Sequence, residues 1–424
     1  MVDRRGLYIG CVADDFTGAS DIGSFFAKGG LNVVLLNGIP SSDYKPKEGI
    51  NVVIIALKTR SIDIDSAVAQ SLDAFKWLKD MGAAQLYFKY CSTFDSTPQG
   101  NIGPVIDKVL EEFGIRYTII SPALPINGRT VKDGILYVND VPLALSPMKN
   151  HPLNPMWASS VKELMERQGK YNTYEMDMDL ISNDSQNAES FVSDLLKSSQ
   201  DHFYIVPDYY RECHSAKIVE IFGELPLITG SSGLAYGLAK RILCKKGLMP
   251  DQVKYWPVSG KGVIISGSCS EQTRKQNERF INQGGKSIRL DPAWIIEGKQ
   301  IEESIIRELD STEIKEILLY SCNTGTVENM NNYSQSLKSS ALEAFIGNIA
   351  KELIKRDVKR LIIAGGETSG AVIKSLGFES FIIGDEISPG VPVLIPEGNE
   401  SLRIILKSGN FGEDDFFTKA LQCI

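Results

Sequence analysis

The first half of the chain is written as short apolar runs, each broken by a polar loop and followed by residues at helical spacing. Runs at 33–36, 52–57, 86–90 and 117–120 are interleaved with a helical segment at 67–79 and another ending at Phe113. That alternation confines the chain to βαβ units on a parallel sheet. In such a sheet the polar residues collect where strands end, which puts Asp14, Asp15, Arg60, Lys89, Ser92 and Arg129 along one rim. Ligands bind at that rim in open α/β folds.

The first unit is the sharpest. An apolar run, Leu7-Tyr8-Ile9-Gly10-Cys11-Val12-Ala13, breaks into Asp14-Asp15, then Phe16-Thr17-Gly18-Ala19 opens a helical pattern through Ile22, Phe25 and Phe26, stopped by Gly29-Gly30. One Asp is enough to cap a helix. A second carboxylate beside it repels the first unless a cation, a hydroxyl or a shared proton separates them. Between Arg129 and Ser146 turn signals at Lys132-Asp133-Gly134-Ile135 and Asn139-Asp140 predict a hairpin arm. Residues 150–200 read as helix and loop, with 182–190 the flexible piece, and 203–206 and 227–229 as further strands. Residues 245–262 carry two prolines and no clear period, so the expected domains are 1–245, a linker at 246–261, and 262–424.

The second half uses one device three times. A β-branched run enters Ser266-Gly267-Ser268-Cys269-Ser270, another enters Gly365-Gly366-Glu367-Thr368-Ser369-Gly370, and a third enters Lys407-Ser408-Gly409-Asn410-Phe411-Gly412, each before a helical pattern. Glycine lets a ligand approach the backbone, and a helix start offers unpaired N–H groups, so each unit suits an anion. Gly365 and Gly370 have the spacing of a P-loop, but Ala371-Val372 follows where Lys and Ser/Thr are required. No G-x-G-x-x-G opens a helix either, which disfavours a dinucleotide enzyme.

Bulk properties remove other classes. A formal charge of −8 and a pI near 5.2 argue against a nucleic-acid partner. No apolar run approaches the ~20 residues of a membrane span, and Met1-Val2-Asp3-Arg4-Arg5-Gly6 leads into no export signal. Seven cysteines without a C-x-x-C pair read as reduced thiols in a cytoplasmic protein. Three scattered histidines, His151, His202 and His214, make zinc a poor candidate, leaving a hard cation held by carboxylates and phosphates.

Taken together, Ala13-Asp14-Asp15-Phe16-Thr17-Gly18-Ala19, the stretch from Lys89 to Thr97 with Gly100-Asn101-Ile102-Gly103, Asn127-Gly128-Arg129-Thr130 and His151-Pro152-Leu153-Asn154-Pro155-Met156 resemble the substrate half of the four-carbon acid sugar kinases. The three glycine turns of the second half resemble the nucleotide half, in the same order. The resemblance implies an α/β chain of two domains, each on a largely parallel sheet flanked by helices, with the active site in the cleft between them. It implies ATP-dependent phosphorylation of the terminal C4 hydroxyl of 3-oxo-tetronate, threonate or erythronate in carbohydrate catabolism, with Mg2+ accompanying the nucleotide. On that reading Asp14, Arg60, Lys89, Tyr90, Cys91, Ser92 and Arg129 contact substrate, and Asp14 or Asp15 is the base. Ser266 or Ser268, Gly365, Gly366, Glu367, Thr368 and Gly409 contact ATP, while the metal ligands stay unassigned. Arg60 and Lys89 suit a substrate carboxylate, Arg129 equally suits bracing its own loop, and His151 reads as a structural loop residue. A non-catalytic sugar-acid sensor on the same scaffold is the alternative, although it would have no use for a phosphate cradle. A homodimer is open to the sequence, which does not set the oligomeric state.

Overall fold

A computed structural model describes the chain apart from residues 1–5, 151–153, 183–184, 251–254, 301, 311–314, 322–332 and 357. His151 and part of the 246–261 stretch therefore lie outside the described residues. The chain divides into two compact units, Met1–Gln252 and Val253–Ile424.

The N-terminal unit holds eleven strands: β1 Ile9–Ala13, β2 Val33–Asn37, β3 Val52–Ala56, β4 Gln85–Lys89, β5 Tyr117–Ser121, β6 Arg129–Lys132, β7 Ile135–Val138, β8 Val141–Pro142, β9 Asn172–Met176, β10 Phe203–Pro207 and β11 Leu227–Gly230. Eight of them form a parallel sheet in the order β2-β3-β1-β4-β11-β5-β10-β9. β1 and β3 are buried at every position, as expected where helices cover both faces of a sheet and the strands read as unbroken apolar runs. Register aligns the strand ends. Ala13 pairs with both Ala56 and Lys89, and Gly230 with Lys89 and Ser121, so the loops after β1, β3, β4, β5 and β11 leave from one edge. The expected arm is a separate antiparallel sheet, β6-β7-β8. Asp208 fastens its tip by accepting from the N–H groups of Asp133 (3.0 Å) and Gly134 (3.1 Å).

Two sequence readings change here. β9 is a strand inside the stretch read as helix and loop. It is an edge strand in which only Thr173 and Met176 are buried, so its apolar signal is halved. The piece read as flexible opens the helix Ser185–Ser198.

In the C-terminal unit β12 Lys261–Ser266, β13 Lys286–Arg289, β14 Glu316–Tyr320, β15 Val358–Ala364, β16 Ser380–Ser388, β17 Val391–Pro396 and β18 Arg403–Lys407 run in the order β13-β14-β12-β15-β18-β17-β16. The first five of that order are parallel, and β17 lies antiparallel to both its neighbours. Ser266 pairs with Ala364, and Ala364 with Lys407, which sets the three glycine turns side by side. Their helices differ from expectation in one case. Gly366–Leu376 and Glu271–Asn282 start at their turns, but the third helix, Phe416–Cys423, begins well past Gly409. The turn after β18 therefore has no helix start of its own and can offer only loop backbone and side chains.

No helix among the described residues is long and apolar enough to cross a membrane. Cys11, Cys91, Cys213, Cys244 and Cys423 are free thiols. Cys269 is disulfide-bonded, a departure from the all-thiol expectation, and it sits in the exposed turn after β12.

Candidate active site

The carboxylate pair after β1 is split between two jobs. Asp15 caps the helix Phe16–Lys28, its Oδ1 accepting from Gly18 N at 2.7 Å. Asp14, at 4% exposure, is gripped at both oxygens by Arg60, with Nε to Oδ2 at 3.0 Å and Nη2 to Oδ1 at 2.8 Å. The same guanidinium reaches Asp15 Oδ1 at 3.1 Å and Asp95 Oδ2 at 3.4 Å. It is the cation that two adjacent carboxylates require. Burial pushes the Asp14 carboxyl up from its ordinary value, against the pull of Arg60. Burial also works against the Arg60 charge, yet Asp14 and Asp15 hold it well above its ordinary value. One carboxylate oxygen is left over: Asp15 Oδ2 accepts no bond, and 26% of that side chain reaches solvent.

Lys89, at the end of β4, is almost fully buried, with its ammonium 3.1 Å from Tyr90 O and 3.5 Å from Asp21 Oδ2. Asp21 Oδ2 also accepts from Ser232 Oγ, and Asp21 Oδ1 is buried without a partner. Burial raises Asp21, against Lys89 and Ser232. A side chain on Gly18 would strike Asp15 Oδ1 at 2.4 Å and meet Lys89 Nζ at 3.1 Å, so this glycine makes room for both groups.

Arg60 and Lys89, the cations expected to meet a substrate carboxylate, are thus already matched by protein carboxylates. Arg129 is not. Its guanidinium donates to Asn127 O, its Nε is buried without a partner, and no carboxylate among the described residues pairs with it. Burial lowers its hold on the proton, offset in part by Cys91 and Asp21 nearby. Cys91 and Ser92 are half-buried in the loop after β4, Cys91 Sγ lying 3.0 Å from Thr93 Oγ1. Tyr90 is not at the surface: its ring is fully buried between Phe88 and Phe94, so only its backbone belongs to the site. The loop turns through two successive left-handed residues, Phe94 (φ 60°) and Asp95 (φ 30°), a costly backbone that persists where the surroundings fix it.

Sequence reading missed Asp95, Asp21, Ser232 and Asn101, whose Nδ2 donates to the Thr59 and Ile62 carbonyls and holds the Arg60 loop. Asp21 carried a legible signal, being an acid among the apolar positions of its helix.

In the C-terminal unit the three turns interlock. Gly267 N and Ser268 N both donate to Ala364 O (3.0 and 3.1 Å), and Gly365 N donates to Lys407 O (2.9 Å). A Cβ on Gly267 would lie 2.0 Å from Thr368 Oγ1, and one on Gly409 2.7 Å from Ser268 Oγ. Gly365 has φ +124°, open to glycine alone. Ser266 is buried with its Oγ unpartnered, whereas Ser268, Gly366 and Glu367 are accessible. Of the two serines, Ser268 is placed to reach a ligand. The amides that open Gly366–Leu376 have no intrahelical acceptor. The arrangement is a cradle for an anionic group, with the backbone room that a polyphosphate needs. Among the described residues no cluster of three or more His, Cys, Asp or Glu is placed to hold a metal ion.

Comparison with known proteins divides the chain as the geometry does. A sugar-binding N-terminal domain profile matches residues 9–238, and a nucleotide-binding C-terminal domain profile matches 263–417. The chain belongs to the four-carbon acid sugar kinase family. It is a phosphotransferase with an alcohol group as acceptor. The 3-oxo-tetronate kinase of Pectobacterium atrosepticum is 40% identical to this kinase, over 98% of each chain. A Haemophilus influenzae crystal structure superposes with TM-score 0.77 at 38% identity, covering 97% of the kinase and 99% of that chain. A Salmonella typhimurium LT2 crystal structure, provisionally described as a tRNA synthase, gives TM-score 0.86 at 38% identity over 98% of each chain.

Proposed function

We propose that the protein transfers the γ-phosphoryl group of ATP to the terminal C4 hydroxyl of a four-carbon sugar acid, 3-oxo-tetronate first and threonate or erythronate beside it. The reading places sugar-acid binding in residues 1–245, nucleotide binding in 262–424 and a linker at 246–261. The observation that carries it is a pair of unmatched groups on the rim of the N-terminal sheet: the free Oδ2 of Asp15 and the guanidinium of Arg129 that no carboxylate neutralises. A sugar acid brings one hydroxyl proton to give and one carboxylate to be held, and these two groups answer both needs.

In this mechanism Asp15 Oδ2 orients the attacking hydroxyl and takes its proton, while Oδ1 stays bound to the helix cap and to Arg60. Asp14 and Arg60 fix each other and so hold Asp15 in place. Arg129 takes the substrate carboxylate, and the loop of Cys91 and Ser92 lies against the remaining hydroxyls. Phosphates rest on Ser268, the opening amides of Gly366–Leu376, Thr368 and the Gly409 turn. Mg2+ held by the nucleotide's own phosphates would supply charge neutralisation at the transferring group. Carbohydrate catabolism and a cytoplasmic setting suit such a reaction. The description of one structural relative as a tRNA synthase finds no support in a chain of net charge −8.

The test is an ADP-release screen over D- and L-threonate, D- and L-erythronate and both 3-oxo-tetronates, with the matching uncharged tetritols as controls. Turnover of at least one acid and none of the tetritols is expected. Turnover of tetritols at the same kcat/KM, or of nothing in the panel, would sink the proposal.

A further inference from the structure

Lys407 closes β18 and is completely buried, yet among the described residues it has no ionic partner. Its ammonium donates to Thr273 Oγ1 (2.9 Å), Ser408 O (3.0 Å) and Gly409 O (3.0 Å). These three acceptors use its three protons. All are neutral. The charged groups on the elements around it are Glu271, Arg274, Lys275, Glu278 and Arg279 on the helix Glu271–Asn282, Glu367 and Lys374 on Gly366–Leu376, Lys359 and Arg360 on β15, and Glu413, Asp414 and Asp415 in the loop after β18. None of them reaches Lys407: Glu271 pairs with Lys275, and Asp414 accepts from Gln272. A buried cation is normally paired, because taking its charge out of water costs several kcal/mol. A lysine retained here without a carboxylate points to an anion that arrives from outside.

Its surroundings identify which one. Gly409 O, the carbonyl that Lys407 holds, also accepts from Ser270 Oγ (2.6 Å) and Thr273 Oγ1 (2.8 Å). The Gly409 turn lies against Ser268, and Lys407 O accepts from Gly365 N in the neighbouring turn. The ammonium therefore stands behind the two turns that form the anion cradle. We propose that Lys407 is a positioning residue for the nucleotide's phosphates, its buried ammonium being the counter-charge that a bound nucleoside di- or triphosphate completes.

This inference rests on the nucleotide reading of the C-terminal unit and adds a proton to it. With no ion partner, burial lowers the Lys407 pKa to about 7, so above neutrality the ligand-free lysine is largely uncharged. A phosphate anion beside it favours the charged form. Nucleotide binding then takes up a proton. The C-terminal unit contains no histidine to confuse the count, and a nucleotide's phosphates, with a second pKa of about 6, are fully ionised by about pH 8.

The experiment is calorimetric titration of the full chain with ADP, in buffers of different ionisation enthalpy, at about pH 6 and about pH 8. The wild-type chain should take up close to one proton per ADP at the higher pH and little at the lower. Its ADP affinity should fall up to about tenfold per pH unit above neutrality. Lys407→Met, which keeps the unbranched stem, should lose the uptake, flatten the pH profile and bind ADP about ten- to a hundredfold more weakly at neutral pH. ADP binding by the wild-type chain without proton uptake overturns the inference and leaves the kinase reading intact, and so does uptake that persists in Lys407→Met. The wild-type arm needs no variant to fold. Absence of any ADP binding to the wild-type chain overturns the nucleotide reading and this inference with it.

Discussion

The two units handle buried charge in opposite ways. At the sugar-acid rim Arg60 faces three carboxylates and Lys89 faces Asp21, so the charges are matched before any ligand arrives. In the nucleotide cradle Lys407 has only neutral acceptors. The first arrangement holds Asp15, the proposed base, in fixed geometry. The second leaves an electrostatic deficit that a polyphosphate can fill. A small substrate with one carboxylate demands positional accuracy, whereas a polyphosphate brings charge in excess and can be recruited by charge.

The largest expected effect tests the rim. Asp15→Asn keeps a cap-competent side chain but removes the base, and should lower kcat by about 10²–10⁴ with ADP affinity unchanged. Asp14→Asn should show the reverse emphasis, a loss of stability exceeding its loss of kcat at saturating substrate. Steady-state kinetics of the two variants beside their urea midpoints separates the roles. Equal kcat losses would mean that the two carboxylates act as one unit.

Next comes the fastening of the rim. Arg60→Ala strands three carboxylates, two of them buried, and should destabilise the N-terminal unit by about 3 kcal/mol. The figure sits at the low end for a broken buried pair because 22% of the Arg60 side chain reaches solvent. Urea unfolding followed in that unit gives the number, and a change below about 0.5 kcal/mol would place the pair among ordinary surface bridges.

A smaller effect distinguishes Arg129. Arg129→Ala should weaken the sugar acid by about 1.5–3 kcal/mol, ten- to a hundredfold in Kd, and leave the matching tetritol untouched. Equal losses for acid and tetritol would make Arg129 a brace for the loop carrying Asn127.

The gentlest test is pH. Lys407 is lowered to about 7 in the fold, against about 10.4 when unfolded. Between those values the unfolded chain binds the extra proton, so this group makes stability rise with pH, by at most about 1.4 kcal/mol per unit. The rise should begin near neutrality in the C-terminal transition, and Lys407→Met should remove it. A wild-type slope of the opposite sign would mean that other groups dominate this unit.

Much of the fold was legible because its signals are local. β1 and β3 are unbroken apolar runs, and the Gly267 and Gly365 turns announce themselves by composition. β9 and β13 were not, because edge strands such as Lys286–Arg289 expose most of their side chains and lack the run. In the site the carboxylate pair stood out at once, yet its division of labour did not. Whether Asp14 or Asp15 turns toward Arg60 depends on where β3 ends relative to β1, a matter of register. Asp95 came to the rim through the left-handed turn of its loop. Lys407 ended a short strand-like run, and its complete burial away from every carboxylate of the described residues distinguishes it from a surface lysine.

The left-handed Phe94 and Asp95 bear on how this enzyme can change over generations. The Phe94 ring is locked into the core against Tyr90, 5.7 Å away between centroids, so the path of the loop is dictated from the rear. The residues at its front, Cys91 and Ser92, are free of that duty. On the proposed reading of the site, drift there can swap one hydroxyl preference for another without redrawing the backbone, which leaves closely related acids reachable through single substitutions while Phe94 stays constrained.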